Sequence, residues 1–353
     1  NTIQWETTRR VNLGVDANLF DNRINVSANY FKSKTDNLLT VQSLGFLSGL
    51  DNNWGNGGKL ENEGFDVSVS AKVLALKDWS WQVGASVGHY KNKITALPEG
   101  KGCLDTEVYG ATVRSQVGQA ANLFYGYKTQ GVFATTEEAR QATDKDPNGL
   151  YVMADNGVTR NYFKAGDMHF ADMDGNGEIN ESDRVVIGDP NPDVYGNIFT
   201  TLQWKRFKLD MRFNYSLGND IYNYMRSQLE GGSRFMNQTT AMTTRWQVEG
   251  QQTEMPRITF QDPMGNSRFS DRWIEDGSYL KLKAVTLSYD LPLTSEFLQG
   301  LQFWIQANNV FTLTKYLGTD PESAMTSAVI GQGIDLGRLP QSTSLVAGVK
   351  INL

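Results

Sequence analysis

Strict alternation of apolar and polar residues is the feature that most constrains this chain. From Val11 the apolar set is Val11, Leu13, Val15, Ala17 and Leu19, with Asn12, Gly14, Asp16 and Asn18 between them. An Asp21-Asn22 turn follows, and Ile24, Val26, Ala28 and Tyr30 resume the pattern. In a strand, successive side chains point to opposite faces, so this reads as a hairpin with one apolar and one polar face. The unit recurs over Phe65–Val73 and Trp79–Val87, joined at Lys77-Asp78, and over Ile198–Trp204 and Phe207–Tyr215, joined at Lys205-Arg206. Leu280–Leu291 is a further strand with a phase slip near Ala284, the mark of a bulge. Leu301–Ala307 and Leu345–Leu353 complete a set of about nine strands, most as long as the ~9–11 residues a tilted strand needs to cross a bilayer.

The links between strands sort into two kinds. Asp21-Asn22, Lys77-Asp78, Lys205-Arg206 and a stretch from Pro292 to Gly300 are short. About 20 residues follow Leu39, about 100 follow Ile94, about 60 follow Leu217 and about 30 follow Leu313. Short and long alternate, the asymmetry of outer-membrane barrels with short periplasmic turns and long extracellular loops. Parity then places the C-terminus on the periplasmic side. A soluble sandwich or propeller also alternates apolar and polar residues. The barrel is favoured because the polar face carries Asp16, Asp66, Lys72, Lys208, Asp210 and Arg212 deep within strands. Phe20, Trp79, Trp81, Trp204 and Phe207 also cluster beside the short turns, where an interfacial girdle would lie.

Composition agrees. The 353 residues carry 33 Lys plus Arg against 39 Asp plus Glu, a net charge of −6, which argues against a nucleic-acid surface. One cysteine, Cys103, excludes an intrachain disulfide, and no Cys/His cluster offers a zinc site. A mean hydropathy of −0.43 and the lack of any 18-residue apolar run exclude membrane-spanning helices but not strands. The chain opens at Asn1 in mid-pattern, and nine strands leave unpaired edges that lipid does not tolerate. It is expected to be part of a longer protein whose other strands complete the barrel.

The sharpest local motif is Asp172-Met-Asp-Gly-Asn-Gly-Glu-Ile-Asn-Glu-Ser-Asp183, within a long loop expected over residues 95–194. Asp172, Asp174 and Asn176 stand at positions 1, 3 and 5 of a calcium loop, and Gly177 takes the sharp turn at position 6. Glu178 would give its backbone carbonyl and Asn180 its side chain or a water. Ile179 holds the apolar position 8, and Asp183 closes at position 12. Asp rather than Glu at position 12 is closer to dockerin loops than to sensor EF-hands, and no amphipathic helices flank it. A structural Ca2+ that stiffens the loop is expected rather than a switch; an acidic Asn/Gly turn with no ion is the alternative.

Catalytic constellations are poor. His89 and His169 lie far apart without a nearby nucleophile and read as surface or lumen residues, and Cys103 as an incidental thiol. No P-loop or GxSxG occurs, and nothing singles out a carboxylate pair. Phe124, Tyr125, Tyr127, Phe133, Tyr151, Tyr162, Phe163, Tyr222 and Tyr224 in the long links suit either a sugar- or peptide-binding cavity or loop packing.

Several segments resemble the SusC/RagA-type TonB-dependent outer-membrane transporters. Leu123-Phe-Tyr-Gly-Tyr-Lys-Thr-Gln-Gly-Val-Phe133 is similar to that family's FYGYxTDGIF block. Gly166-Asp167, the acidic loop and Asp183-Arg-Val-Val-Ile-Gly-Asp-Pro-Asn-Pro-Asp193 are similar to its GDxxxxDxNGDGxIxxxDRxxIGxPxPD block. Gly218-Asn-Asp-Ile-Tyr222, Arg272-Trp-Ile-Glu-Asp-Gly-Ser-Tyr-Leu280, Asn308-Asn-Val-Phe311, Lys315-Tyr316 and Asp320-Pro-Glu322 follow in the family's order. The resemblance implies an all-β fold: a transmembrane antiparallel β-barrel of 22 strands, of which this chain is the last nine. The plug, the TonB box and the earlier strands are missing from it. It also implies a SusD-like lipoprotein lid, TonB acting through the missing plug, and a dimer of transporter–lipoprotein pairs. The implied cargo is an oligosaccharide or a peptide, imported without enzymatic chemistry. Leu353 departs from the aromatic residue such barrels usually end on. A secreted calcium-dependent carbohydrate-binding protein or adhesin is the alternative, and a glycoside hydrolase a weaker third.

Overall fold

A computed structural model describes residues 3–43, 49, 52–98, 100–292, 297, 299–322 and 329–352. Its frame is one antiparallel sheet of nine strands in sequence order. The strands are β1 (Thr7–Leu19), β2 (Ile24–Ser43), β3 (Asn52–Ala75), β4 (Trp79–Ala96), β5 (Val194–Trp204), β6 (Phe207–Leu217), β7 (Tyr279–Leu291), β8 (Gly300–Thr314) and β9 (Ser344–Asn352). Each alternating segment of the sequence, the last as far as Asn352, lies within one of them. A register shift leaves Lys283 of β7 as an extra residue opposite Arg212/Phe213 of β6, and on its other side β8 sets two residues, Asn309 and Val310, against it. That is the expected phase slip.

Register shows what the alternation accomplishes. Residues paired across strands share a face, and one apolar row runs through all nine: Leu19, Ile24, Ala71, Val83, Thr200, Met211, Val285, Ala307 and Leu345. The opposite face carries rows such as Asp16, Ser27, Ser68, Ser86, Asn197, Asn214, Lys281 and Thr312. No second layer covers the apolar face among the described residues. Leu13 is 66% exposed, Val15 68% and Leu345 72%. A sandwich would bury these side chains against another sheet, whereas a membrane-facing wall presents them to hydrocarbon.

Near the short links the same face becomes aromatic. Trp79, Trp204, Phe207, Tyr289 and Phe303 stand in one row over β4 to β8. Their rings lie side by side, Trp79–Trp204 at 5.7 Å and Phe207–Tyr289 at 4.7 Å between centroids. Toward the long-link end, Tyr30, Phe65 and His89 form a second row. On β4 the two rows are ten residues apart, from Trp79 to His89. At about 3.3 Å per residue and a tilt near 40° this gives a band about 25 Å high, the apolar height of an outer-membrane barrel.

The turns follow from backbone sterics. Residues 20–23 join β1 to β2 with Phe20, Asp21 and Asn22 all at left-handed φ (54°, 53° and 62°), and Lys205 (φ 52°) does the same between β5 and β6. Asp and Asn tolerate that region better than most side chains do. The first long link differs from expectation. β2 and β3 stay paired as far as Ser43↔Asn52, with shifts at Thr35/Leu38/Leu39, so residues 44–51 replace a loop of about 20. Cross-strand pairing overrides the poor strand propensity of the Asn- and Gly-rich 52–58 stretch. Most of 44–51, part of the Pro292–Gly300 link and Leu353 lie outside the described residues.

The described residues of the other long links, 97–193, 218–278 and 315–343, fold together as a lobe at one end of the wall. Within 97–193, Cys103–Val108, Ala111–Gln116, Leu123–Gly126 and Val185–Gly188 form a four-stranded sheet. Asp220–Asn223 pairs with Ile274–Asp276 and with Ile334–Asp335, tying the later links together. Two apolar cores result. One holds Phe133, Leu150, Phe163, Phe170, Ile179 and Met264; the other holds Val113, Phe124, Tyr222, Trp273 and Ile334.

A charge placed on one face or the other should discriminate the two environments. In the full-length protein, Val69→Arg on the apolar face should destabilise the folded barrel by about 2–4 kcal/mol. Ser68→Arg on the polar face should cost clearly less, as read from the urea midpoint of heat-modifiable electrophoretic mobility.

Candidate metal centre

The acidic loop hangs from the lobe's first core. Ile179, 3% exposed, packs among Phe133, Leu150, Phe163 and Phe170. Tyr151 clasps the backbone on both sides of Glu178: its N–H donates to the Gly177 carbonyl (3.1 Å), and its carbonyl accepts from Ile179 N (2.8 Å). Gly177 sits at φ 87°, and a Cβ there would come within 3.1 Å of Lys145 Cβ, so position 6 needs glycine.

Backbone amides of the loop curl around its carboxylates. Asp172 Oδ1 accepts from Gly175 N (2.8 Å) and Asn176 N (3.1 Å), and Asp172 Oδ2 accepts from Gly177 N (2.7 Å). Asp183 Oδ1 accepts from Met173 N and Oδ2 from Asn180 N, both at 2.8 Å. One oxygen from each of Asp172, Asp174 and Asp183 lies within 4.8 Å of the other two. No Lys or Arg reaches any of the three at ion-pair distance among the described residues. The neighbouring Arg184 instead turns to Glu181 and to the Tyr125 carbonyl.

Asp183 is fully buried. Burial raises its pKa above the ordinary carboxylate range, and Asp174 and Asp172 push the same way against the two amide donors. Three carboxylates gathered without a cation repel one another, and one of them is desolvated. A hard divalent ion with oxygen ligands offsets both terms, so the residues present fit Ca2+. Asn176 adjoins the cluster, its Nδ2 donating to Asp174 Oδ2 (2.8 Å) while its Oδ1 accepts from Glu178 N (2.6 Å). Asn180 is the outlier: its Oδ1 accepts from Ser182 N (2.8 Å) and caps the short helical turn Glu181–Asp183.

Other singled-out residues fall elsewhere. His169 is half-buried and stacks on Phe133 at 4.3 Å, where burial lowers its pKa; it lies in the lobe rather than on the surface or in a lumen. His89 stands on the apolar side of the wall beside Phe65. Phe124, Phe133 and Phe163 are in the cores, leaving packing as the role of these three.

Two anchors have no counterpart in the sequence reading. Asp167, fully buried, accepts from Arg257 Nε (2.8 Å) and Nη2 (2.9 Å), Asn266 Nδ2 (2.9 Å) and Lys164 N (2.9 Å), fastening the 218–278 link to the 97–193 link. Lys281 of β7, 3% exposed, donates to both Asp320 oxygens (3.1 and 2.8 Å) and to Glu322 (2.8 Å), fastening the 315–343 link to the wall. Their partners lie 90 and 39 residues apart, so no local spacing announces them.

Comparison with known proteins follows from this geometry. The profile of the family described as "TonB dependent receptor-like, beta-barrel" matches residues 1–188. TonB-dependent receptor P3 of Formosa agariphila is 31% identical over 99% of this chain and 34% of its own length. TonB-dependent receptor SusC of Bacteroides thetaiotaomicron is 26% identical over 99% of this chain and 32% of its own. A chain in the structure of the RagAB peptide transporter superposes with a TM-score of 0.77 at 23% identity, over 98% of this chain and 35% of that one. The chain thus spans about a third of the length of the curated relatives it matches.

Removing one side of the Asp167 anchor should loosen the lobe and not the wall. Arg257→Ala leaves a buried carboxylate short of its cation, which costs about 2–3 kcal/mol, less than a fully buried pair because Arg257 is partly exposed. Limited proteolysis should then cut faster within 97–193 and 218–278, with the strands still protected.

Proposed function

Because the chain belongs to the TonB-dependent receptor-like β-barrel family, we propose that it forms part of the wall and the extracellular lobe of an outer-membrane importer of oligomeric nutrients. The observation that carries this is the nine-stranded sheet with one apolar face in full exposure and one polar face, capped at a single end by a folded lobe. Strands of the same protein outside this chain close the barrel, because β1 and β9 each pair on one side only among the described residues and an open edge in hydrocarbon leaves N–H and C=O groups unsatisfied.

In this reading the lobe faces outward, the short turns and C-terminus face the periplasm, and the polar face lines the passage. The chain contributes binding surface and no bond-making chemistry. TonB acts on a plug within the barrel, and a SusD-like lipoprotein covers the mouth, with two such pairs associating. The cargo is an oligosaccharide or an oligopeptide, the two classes suggested by relatives called SusC and a RagAB peptide transporter. Ca2+ held by Asp172, Asp174, Asp183, Asn176 and the Glu178 carbonyl, with Asn180 directly or through a water, stiffens the lobe.

Two experiments test the reading. The full-length protein should be recovered from outer membranes only with detergent and carry an oligosaccharide or oligopeptide, and deleting its gene should abolish growth on that nutrient. Recovery as soluble protein, or unimpaired growth, contradicts import. For the metal, Asp172→Ala with Asp174→Ala should lower bound calcium by about one ion per chain in elemental analysis and speed proteolysis near 172–183; unchanged occupancy refutes the assignment.

A further inference from the structure

Above the Tyr30–Phe65–His89 row, the apolar face of the wall turns charged within two residues. Lys32 pairs in register with Glu63 and Glu63 with Lys91; Lys34 pairs with Arg9 and Glu61, and Glu61 with Lys93. These positions continue the outward face, since each lies an even number of residues from Val11, Tyr30, Phe65 or His89 with no register shift between. Five basic side chains thus stand against two acidic ones on four strands, in a chain whose net charge is −6. At the same end of β6, β7 and β8 the outward positions Leu217, Leu280 and Leu313 remain apolar, so the patch is confined to β1–β4.

The two glutamates are already engaged. Lys32 Nζ lies 3.0 Å from Glu63 and Lys34 Nζ lies 2.6 Å from Glu61. Lys91 and Lys93 are exposed, and neither has a carboxylate at ion-pair distance among the described residues. Beyond Gly88 the edge of β4 is no longer covered by β5, and a cavity of about 520 Å3 opens there; its strand side carries Lys32, Lys91, Lys93 and His89 together with Glu61 and Glu63, the carboxylates already paired with Lys34 and Lys32. Asp189 and Asp193 form its far lip, where Asp189 accepts from Asn191 N (2.8 Å) and Nδ2 (2.7 Å). The two cations of the cavity left without a carboxylate partner among the described residues, Lys91 and Lys93, thus stand on the strand side, opposite that lip.

We propose that this patch docks the phosphate-bearing headgroup of a lipid of the outer leaflet, with Lys91 and Lys93 as its principal cations and Lys32, Lys34 and Arg9 as the surrounding field. Position argues for lipid over a soluble anion: the patch directly continues the face that meets hydrocarbon, at the height where headgroups begin, and its charge is complementary to phosphate. The assignment rests on the orientation given under Proposed function.

Native mass spectrometry of the full-length transporter, extracted in a neutral detergent, provides the test. The probes are a diphosphorylated, acylated glucosamine disaccharide and its dephosphorylated form. The wild type should retain the phosphorylated probe at least about tenfold better than the other. Lys91→Gln with Lys93→Gln should remove that preference, the order of effect two lysines exert at an anionic surface. Lys91→Arg with Lys93→Arg should keep it. Equal retention of the two probes, an unaltered preference in the glutamine variant, or loss of a protein subunit in place of lipid from that variant would overturn the proposal. Failure of the import reading shows differently, as absence of the protein from the detergent-extracted membrane fraction or normal growth of the deletion strain.

Discussion

Backbone amides and carbonyls cannot be left unpaired in hydrocarbon, and the rest of this structure is arranged around that requirement. A wall of strands meets it by pairing each strand with its neighbours, which is what the nine-stranded antiparallel sheet does from β1 to β9. Once the backbone is satisfied in this way, the side chains divide by parity, apolar outward and polar inward. The aromatic rows then mark the two limits of the band, and the charged positions above Tyr30, Phe65 and His89 mark where it ends.

The lobe obeys the opposite physics. It is a water-facing body with dry centres, built around Phe124, Trp273 and Ile334 in one core and Phe133, Phe163 and Ile179 in the other. Buried ion pairs clamp it: Arg257 on Asp167, and Lys281 on Asp320 and Glu322. Such pairs contribute little to stability compared with apolar packing, but each leaves a heavily destabilising orphan when broken, so they fix which link sits against which. The acidic loop is attached to this body through Ile179 and Tyr151.

The wall was legible in the sequence because its rule is local. Period-two alternation locates every strand, and even the bulge at Lys283 shows as a slip of phase near Ala284. The length of the β2–β3 pair was not, because Gly55, Gly57 and Gly58 look like loop and become strand only through their partners in β2. The acidic loop was legible as a linear motif, and three of its acids do converge. Asn180 also caps the helical turn Glu181–Asp183, a contact that the linear motif does not announce. The Asp167 and Lys281 anchors join residues far apart in sequence, and only the folded lobe brings them together.

The central claim is that the odd-numbered positions of β3 from Phe65 to Ala71 meet hydrocarbon and the even-numbered ones between them meet water. Site-directed spin labels at single cysteines from 65 to 73, in the full-length protein with Cys103→Ser and in native outer membranes, measure this directly. Accessibility to dissolved oxygen should peak at 65, 67, 69 and 71, and accessibility to a water-soluble nickel chelate at 66, 68 and 70. Equal accessibility on both faces, or nickel access at the odd positions, would contradict the account.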